Sequence, residues 1–192
     1  ATLTARFPRL IQRDLTVNMD GLAHLFFDEI REGLLKKGRR GEVVLIARRP
    51  DGRLWLHRKS FYPPDAYRLL SGGIKRDEPA LHAAARELWE ETSLCGPIVA
   101  CPGVLRYTLQ RAGVALRFIS YFFVMEVSDA APAPRDASER ICDFRAVVPA
   151  ELSAVAATLR AVPAEWQDWG QFRAIGHEFV AEMMHVWQQG LA

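Results

Sequence analysis

The chain of 192 residues is 49% apolar and 25% charged with a formal net charge of +2, the composition of an ordinary globular domain with a core of normal size. Its mildly basic pI of about 8.6 argues against a protein that coats nucleic acid, and no run approaching the roughly 20 apolar residues of a membrane span is present. Cys95, Cys101 and Cys142 lack zinc-like spacing and no basic-then-apolar signal segment opens the sequence, so the expected setting is cytoplasmic, with reduced thiols.

Residues 1–40 read as an extension: an irregular or extended start, then a helix with Asp20 as its N-cap. Leu22, Leu25, Phe26, Phe27, Ile30, Leu34 and Leu35 form its apolar stripe, and Gly38 and Gly41 end it. The cations of Lys36-Lys37-Gly38-Arg39-Arg40 suit the negative end of that helix better than a nucleic-acid patch. Residues 41–162 form the expected central domain. A buried strand at 43–47 leads through the turn Pro50-Asp51-Gly52 to a return strand at 53–58, and another short strand follows at 67–70. After a glycine-opened loop, a helix is expected over 79–92, with Leu81, Ala84, Ala85, Leu88 and Thr92 facing the core. Strands near 103–109 and 116–127 hinge at Arg111-Ala112-Gly113. The segment 130–134 is a loop, 141–147 a strand and 150–161 a helix. Residues 163–192 add a helix begun by Pro163 and stopped by Gly190, whose stripe of Phe172, Ile175, Phe179, Met183 and Trp187 reads as packing. Strands alternating with helices predict an α/β or α+β sandwich.

The chemistry is concentrated around the helix at 79–92. Glu87, Glu90 and Glu91 stand at i, i+3 and i+4, so three carboxylates crowd one turn at a cost of roughly 0.2–0.5 kcal/mol per like-charged pair. A solvated acidic face is one reading. The other is a hard dication, Mg²⁺ or Mn²⁺, held by oxygen ligands.

The loop before the helix favours the second reading. Gly72, Glu78, Arg86-Glu87-Leu88, Glu90-Glu91 and Ser93-Leu94 are spaced so that the segment resembles the Nudix box, G-x5-E-x7-R-E-U-x-E-E-x-G-U with U aliphatic. Eight of its nine specified positions are met over 23 residues. The exception is Ser93, where the family has the Gly that ends the catalytic helix in a left-handed turn; either Ser93 bears that cost or the turn shifts to Gly96.

The resemblance implies a Nudix-type α/β/α sandwich with a mixed sheet, plus the N-terminal helix and C-terminal helices. It implies that Glu87, Glu90 and Glu91 bind Mg²⁺, with Mn²⁺ as a substitute, and that Glu78 assists at the metal or orients its water. Arg86 holds the glutamates by ion pairing, and Gly72 and Gly73 let the loop wrap the helix. The implied reaction is cleavage of a phosphoanhydride bond in a nucleoside diphosphate linked to another moiety. The base is a box glutamate or an acid elsewhere: Glu139 is preferred over Asp136 and Glu126. Arg58, Lys59 and Arg68 are candidates for phosphate contacts, and Tyr62 or Trp55 for stacking on a base. Competing readings are a silent nucleotide sensor on the same fold, an isoprenoid-diphosphate isomerase and an RNA-end hydrolase. The terminal helices offer a surface for a homodimer.

Overall fold

The computed structural model describes residues 3–39 and 41–188, with side chains up to 185. Arg40, the Trp187 side chain and Gly190, named above, lie outside the described residues. The elements are α1 (Leu3–Arg6), β1 (Ile11–Asn18), α2 (Leu25–Lys37), β2 (Gly41–Arg48), β3 (Leu54–Lys59), β4 (Arg68–Gly73) and α3 (Ala80–Thr92), then β5 (Ile98–Arg111), β6 (Val114–Glu126), β7 (Ile141–Val147), α4 (Leu152–Arg160) and α5 (Gln167–Gln188).

Seven strands form one sheet in the order β1-β5-β6-β2-β4-β3-β7. It is mixed, because β1 runs parallel to β5 and β2 parallel to β6 while the other pairs are antiparallel. The period of two in a strand explains how each face is buried. Val43, Leu45 and Ala47 of β2, with Phe123 and Met125 of β6, join Ala83, Ala84 and Leu88 of α3 in one cluster. Val44, Ile46, Phe122 and Val124 point the other way, to a second cluster with Phe27 of α2, Leu159 of α4 and Phe172 and Phe179 of α5. Two apolar layers on opposite faces make the α/β/α sandwich, and each fully buried large side chain contributes about 1.5–3 kcal/mol. No helix among the described residues is long and apolar enough to cross a membrane.

Several expectations need correction. The extended start is a full strand, β1, whose alternating exposure marks it as the sheet's edge. Asp20 does not cap α2; its carboxylate accepts the Ala112 N–H in the β5–β6 turn (2.7 Å). The cap comes instead from buried Asp168 at the start of α5, whose Oδ2 accepts the Phe26 and Phe27 N–H groups at 2.8 and 3.1 Å. Leu25 and Leu35 lie off the α2 core face and are exposed. In α3, Ala83 is buried and Ala85 exposed, the reverse of the expected face. Ala84, Leu88 and Thr92 face the core as expected, and the buried stripe extends to their other side, so Glu87 and Glu91 are buried with them.

Candidate active site

Arg86 organises the acidic turn. Its Nε and Nη2 grip the two oxygens of Glu78 at 2.7 and 2.8 Å, a bidentate fork. Its Nη1 reaches Glu87 at 2.7 Å and Glu90 at 2.8 Å, and Nη2 also meets the Gly73 carbonyl at 3.1 Å. The guanidinium thus answers the like-charge crowding that the spacing predicts. The Arg86 bond, reinforced by the Lys75 N–H, pulls Glu78 down to about 2. Glu90 is the most solvent-accessible of the three clustered acids, its side chain 35% exposed.

Glu87 and Glu91 point inward. Burial raises the pKa of Glu87 above the ordinary carboxylate value, against the pull of Arg86. Burial pushes Glu91 up to about 8, opposed by Arg68 and Lys59 and reinforced by the charges of Glu87 and Glu139. Neither Glu91 oxygen has a hydrogen-bond partner, and buried His57 lies 3.9 Å away. Gly72 of β4 crosses directly over Glu87: a Cβ there would fall 1.8 Å from the carboxyl carbon, so any larger residue would displace the Glu87 carboxylate from this position. Gly73 offers its carbonyl to Arg86 of the helix, and its missing side chain leaves room for Arg39, which would stand 2.3 Å from a Cβ.

Among the described residues, no three His, Cys, Asp or Glu side chains already form a cage for a metal ion. Arg86 holds Glu87 and Glu90 in this arrangement. The donor set nevertheless fits a hard dication, because all its ligands are oxygens and the buried Glu91 oxygens are otherwise unanswered.

Glu87 opens into a cavity of about 410 Å³ between the sheet, α2 and the start of α5. Glu139 lines it too, carried on a 3-10 turn (Ala137–Glu139) and ion-paired with Lys59 at 2.5 Å. Of the other candidate bases, Asp136 accepts the Ser138 N–H to start that turn, and Glu126 pairs with Arg48 away from the cavity. Arg68 lines the cavity, held by Tyr62 Oη (3.0 Å) and Ser71 Oγ (2.6 Å). Arg58 does not; it lies over the Tyr67 ring, and a register shift at Arg58/Lys59 breaks the β3–β7 ladder beside it. Tyr62 reaches the cavity, whereas Trp55 packs on the α3 side against Phe144 and Arg49.

The opposite wall was missed in the sequence. Trp166 and Trp169 line it beside Phe61, with Trp166 and Phe61 roughly parallel at 6.3 Å. Lys37 and Arg39, read as helix-end cations, face the cavity, as does Arg173 of α5, which bonds Glu42 at 2.8 Å. Glu42 in turn accepts from Ser120. Their signals were weak: two charges in a basic run, and an aromatic pair ahead of a packing stripe.

A sequence profile of the NUDIX domain matches residues 38–170. The chain belongs to the Nudix family of hydrolases. Solved Nudix-fold structures are similar to it over most of its length. A MutT protein from Methanosarcina mazei Go1 is 18% identical with a TM-score of 0.52, covering 79% of this chain and 96% of that one. A C. elegans Ap4A hydrolase in a binary complex is 15% identical with a TM-score of 0.52, covering 79% and 98%. A Nudix hydrolase from Nitrosomonas europaea is 16% identical with a TM-score of 0.53, covering 79% and 73%. At these identities the likeness speaks for the fold. No curated protein matches the sequence. Within this Nudix chain, Ser93 itself takes the left-handed backbone (φ 58°) that ends α3, and Gly96 does not replace it.

Proposed function

We propose that this Nudix hydrolase uses Mg²⁺, with Mn²⁺ as a substitute, to split a phosphoanhydride bond in a nucleoside diphosphate linked to another group. One observation carries the reading: a single cavity joins the acids Glu87 and Glu139, a set of cations and an aromatic wall. Those are the three chemistries that such a substrate demands.

Glu87 and Glu91, with Glu90 at the outer edge, would hold the dication, and Glu78 keeps Arg86 in place beneath them. The bound cation would spread the phosphate charge and acidify a water. Lys59, Arg68 and Arg39 supply positive charge where the diphosphate enters. Glu139, steadied by Lys59, is the proposed acceptor of the water's proton. Phe61, Tyr62 and Trp166 offer ring faces to a nucleobase.

The test is product release from a panel of dinucleoside polyphosphates, nucleoside-diphosphate sugars and nucleoside triphosphates, with Mg²⁺ and after chelation. Turnover of at least one diphosphate linkage, lost on chelation and restored by Mg²⁺ or Mn²⁺, is expected. Tight nucleotide binding with no release from any member would replace this reading by the sensor alternative.

A further inference from the structure

Ser93 is the box position at which the sequence departs from its family, and the structure gives it a partner. Its backbone N–H closes the helix on Trp89 O (2.9 Å), while its hydroxyl donates to Ala133 O at 2.7 Å. A glycine could take the same left-handed backbone at lower cost but could not make the second bond.

Ala133 belongs to the segment that delivers Glu139, and the contact does not stand alone. The Ala133 N–H donates to Thr92 O at 2.9 Å, and the Arg135 N–H to Glu90 O at 2.9 Å. Carbonyls left open at the end of α3 are thereby answered by this one segment. The Arg135 guanidinium lies 4.5 Å from the centre of the Trp89 ring. At the far end, Arg140 O accepts the Ser60 N–H at 2.9 Å, tying the segment to the end of β3 beside Lys59. Glu139 is suspended between these two anchors. One anchor is the helix that carries Glu87, Glu90 and Glu91.

We infer that Ser93 is a positioning residue: it clasps the 133–139 segment to the end of α3 and so sets the place of Glu139 relative to the acids of that helix. This rests on the reading of Glu139 as the proton acceptor.

The experiment compares Ser93→Gly, Glu139→Gln and the double variant in steady-state hydrolysis of whichever panel member is turned over, with hydrogen exchange on the 133–136 amides. Ser93→Gly keeps the helix end and removes only the hydroxyl bond. Faster exchange at Ala133 and Arg135 is expected, with kcat lowered roughly three- to tenfold and KM unchanged. In the Glu139→Gln background the same substitution should cost nothing further, because its effect passes through Glu139. An equal loss in both backgrounds, or unchanged exchange and kcat, overturns the clasp while Glu139→Gln still impairs turnover. Full activity in Glu139→Gln instead removes the base assignment, and with it the role given to Ser93.

Discussion

The two walls of the cavity are built on opposite principles. The α3 wall is local: Glu87 lines the cavity, and Glu78, Arg86, Glu90 and Glu91 around it lie within the same helix and the turn before it, in the order of a motif. The facing wall is assembled from α2, the loop after β3 and the start of α5, the last more than a hundred residues from the other two. Acids that must share one ion need fixed mutual spacing, which a helix supplies. A surface that receives a variable group needs only to be there when the chain has folded. The comparison predicts a division of labour, in which damage to the α3 wall reduces kcat and damage to the facing wall raises KM or lowers stability.

The largest effect should come from Glu87→Gln or Glu91→Gln. Each removes a proposed ligand while keeping shape, and kcat should fall at least about a hundredfold with little change in KM or in thermal midpoint. Glu90→Gln should cost less, because that side chain is 35% exposed and turned toward Arg86. If Glu90→Gln proved the most damaging of the three, the inward pair would not be the metal-binding face.

One part of the pH dependence of stability comes from α5, behind the facing wall. His177 of α5 is buried, and its Nε2 accepts the Leu69 N–H at 2.9 Å, fastening α5 to β4. Burial, the main cause, holds its pKa down to about 4, against about 6.5 when exposed. Because the folded value is depressed, the stability linked to the neutral ring is complete above pH 6.5. It is lost progressively as pH falls toward 4, on the order of 3 kcal/mol in all. His57 is shifted in the same direction by burial and by Arg68. Glu91, held up at about 8 by burial, works in the opposite direction over the same range, so the contribution of His177 is read as the difference between the urea-midpoint profiles of wild type and His177→Gln from pH 8 to 4.5. His177→Gln, which keeps an acceptor but does not titrate, should lose less stability than wild type as pH falls from 6.5 to 4.5; a profile of the same shape as wild type would acquit His177.

A somewhat smaller loss is expected from Asp168→Ala. It leaves two N–H groups at the buried start of α2 without an acceptor, at about 2 kcal/mol. Since Glu29, Ile30 and Lys37 of that helix line the cavity, KM should rise as well. Urea denaturation and substrate titration on the same variant check both halves. Asp168→Asn, which retains a carbonyl acceptor, should recover most of each.

What could be read from the sequence follows the same division. The sheet strands from β2 to β7 and the helix α3 were legible because hydrophobic period and turn residues are local signals. The box was legible because its spacing is that of one helix. The cap of α2 was not, since the nearby acid, Asp20, serves a hairpin turn while Asp168 acts from 142 residues away. Burial of Glu87 and Glu91 was also hidden. Periodicity assigns carboxylates to the outer face, and only the close crossing of Gly72 and the positive charges of Arg68 and Lys59 make the inner face tolerable. Arg39 and Arg173 carry no pattern that separates a cavity cation from a surface one.

The smallest effect is the most discriminating, because two tryptophans with the same apparent promise lie on different sides of the sheet. Trp166 lines the cavity roughly parallel to Phe61, whereas Trp55 is 8% exposed in the cluster beneath α3. Trp166→Leu keeps an apolar side chain but removes the ring face, so a stacked base should lose about 1 kcal/mol. Binding lost equally from ground state and transition state raises KM about fivefold and leaves kcat alone. Trp55→Leu should do the opposite, lowering the unfolding midpoint with KM unmoved. If both substitutions changed KM alike, the aromatic wall would not be where the base sits, and the contrast between the two walls would fail at its facing side.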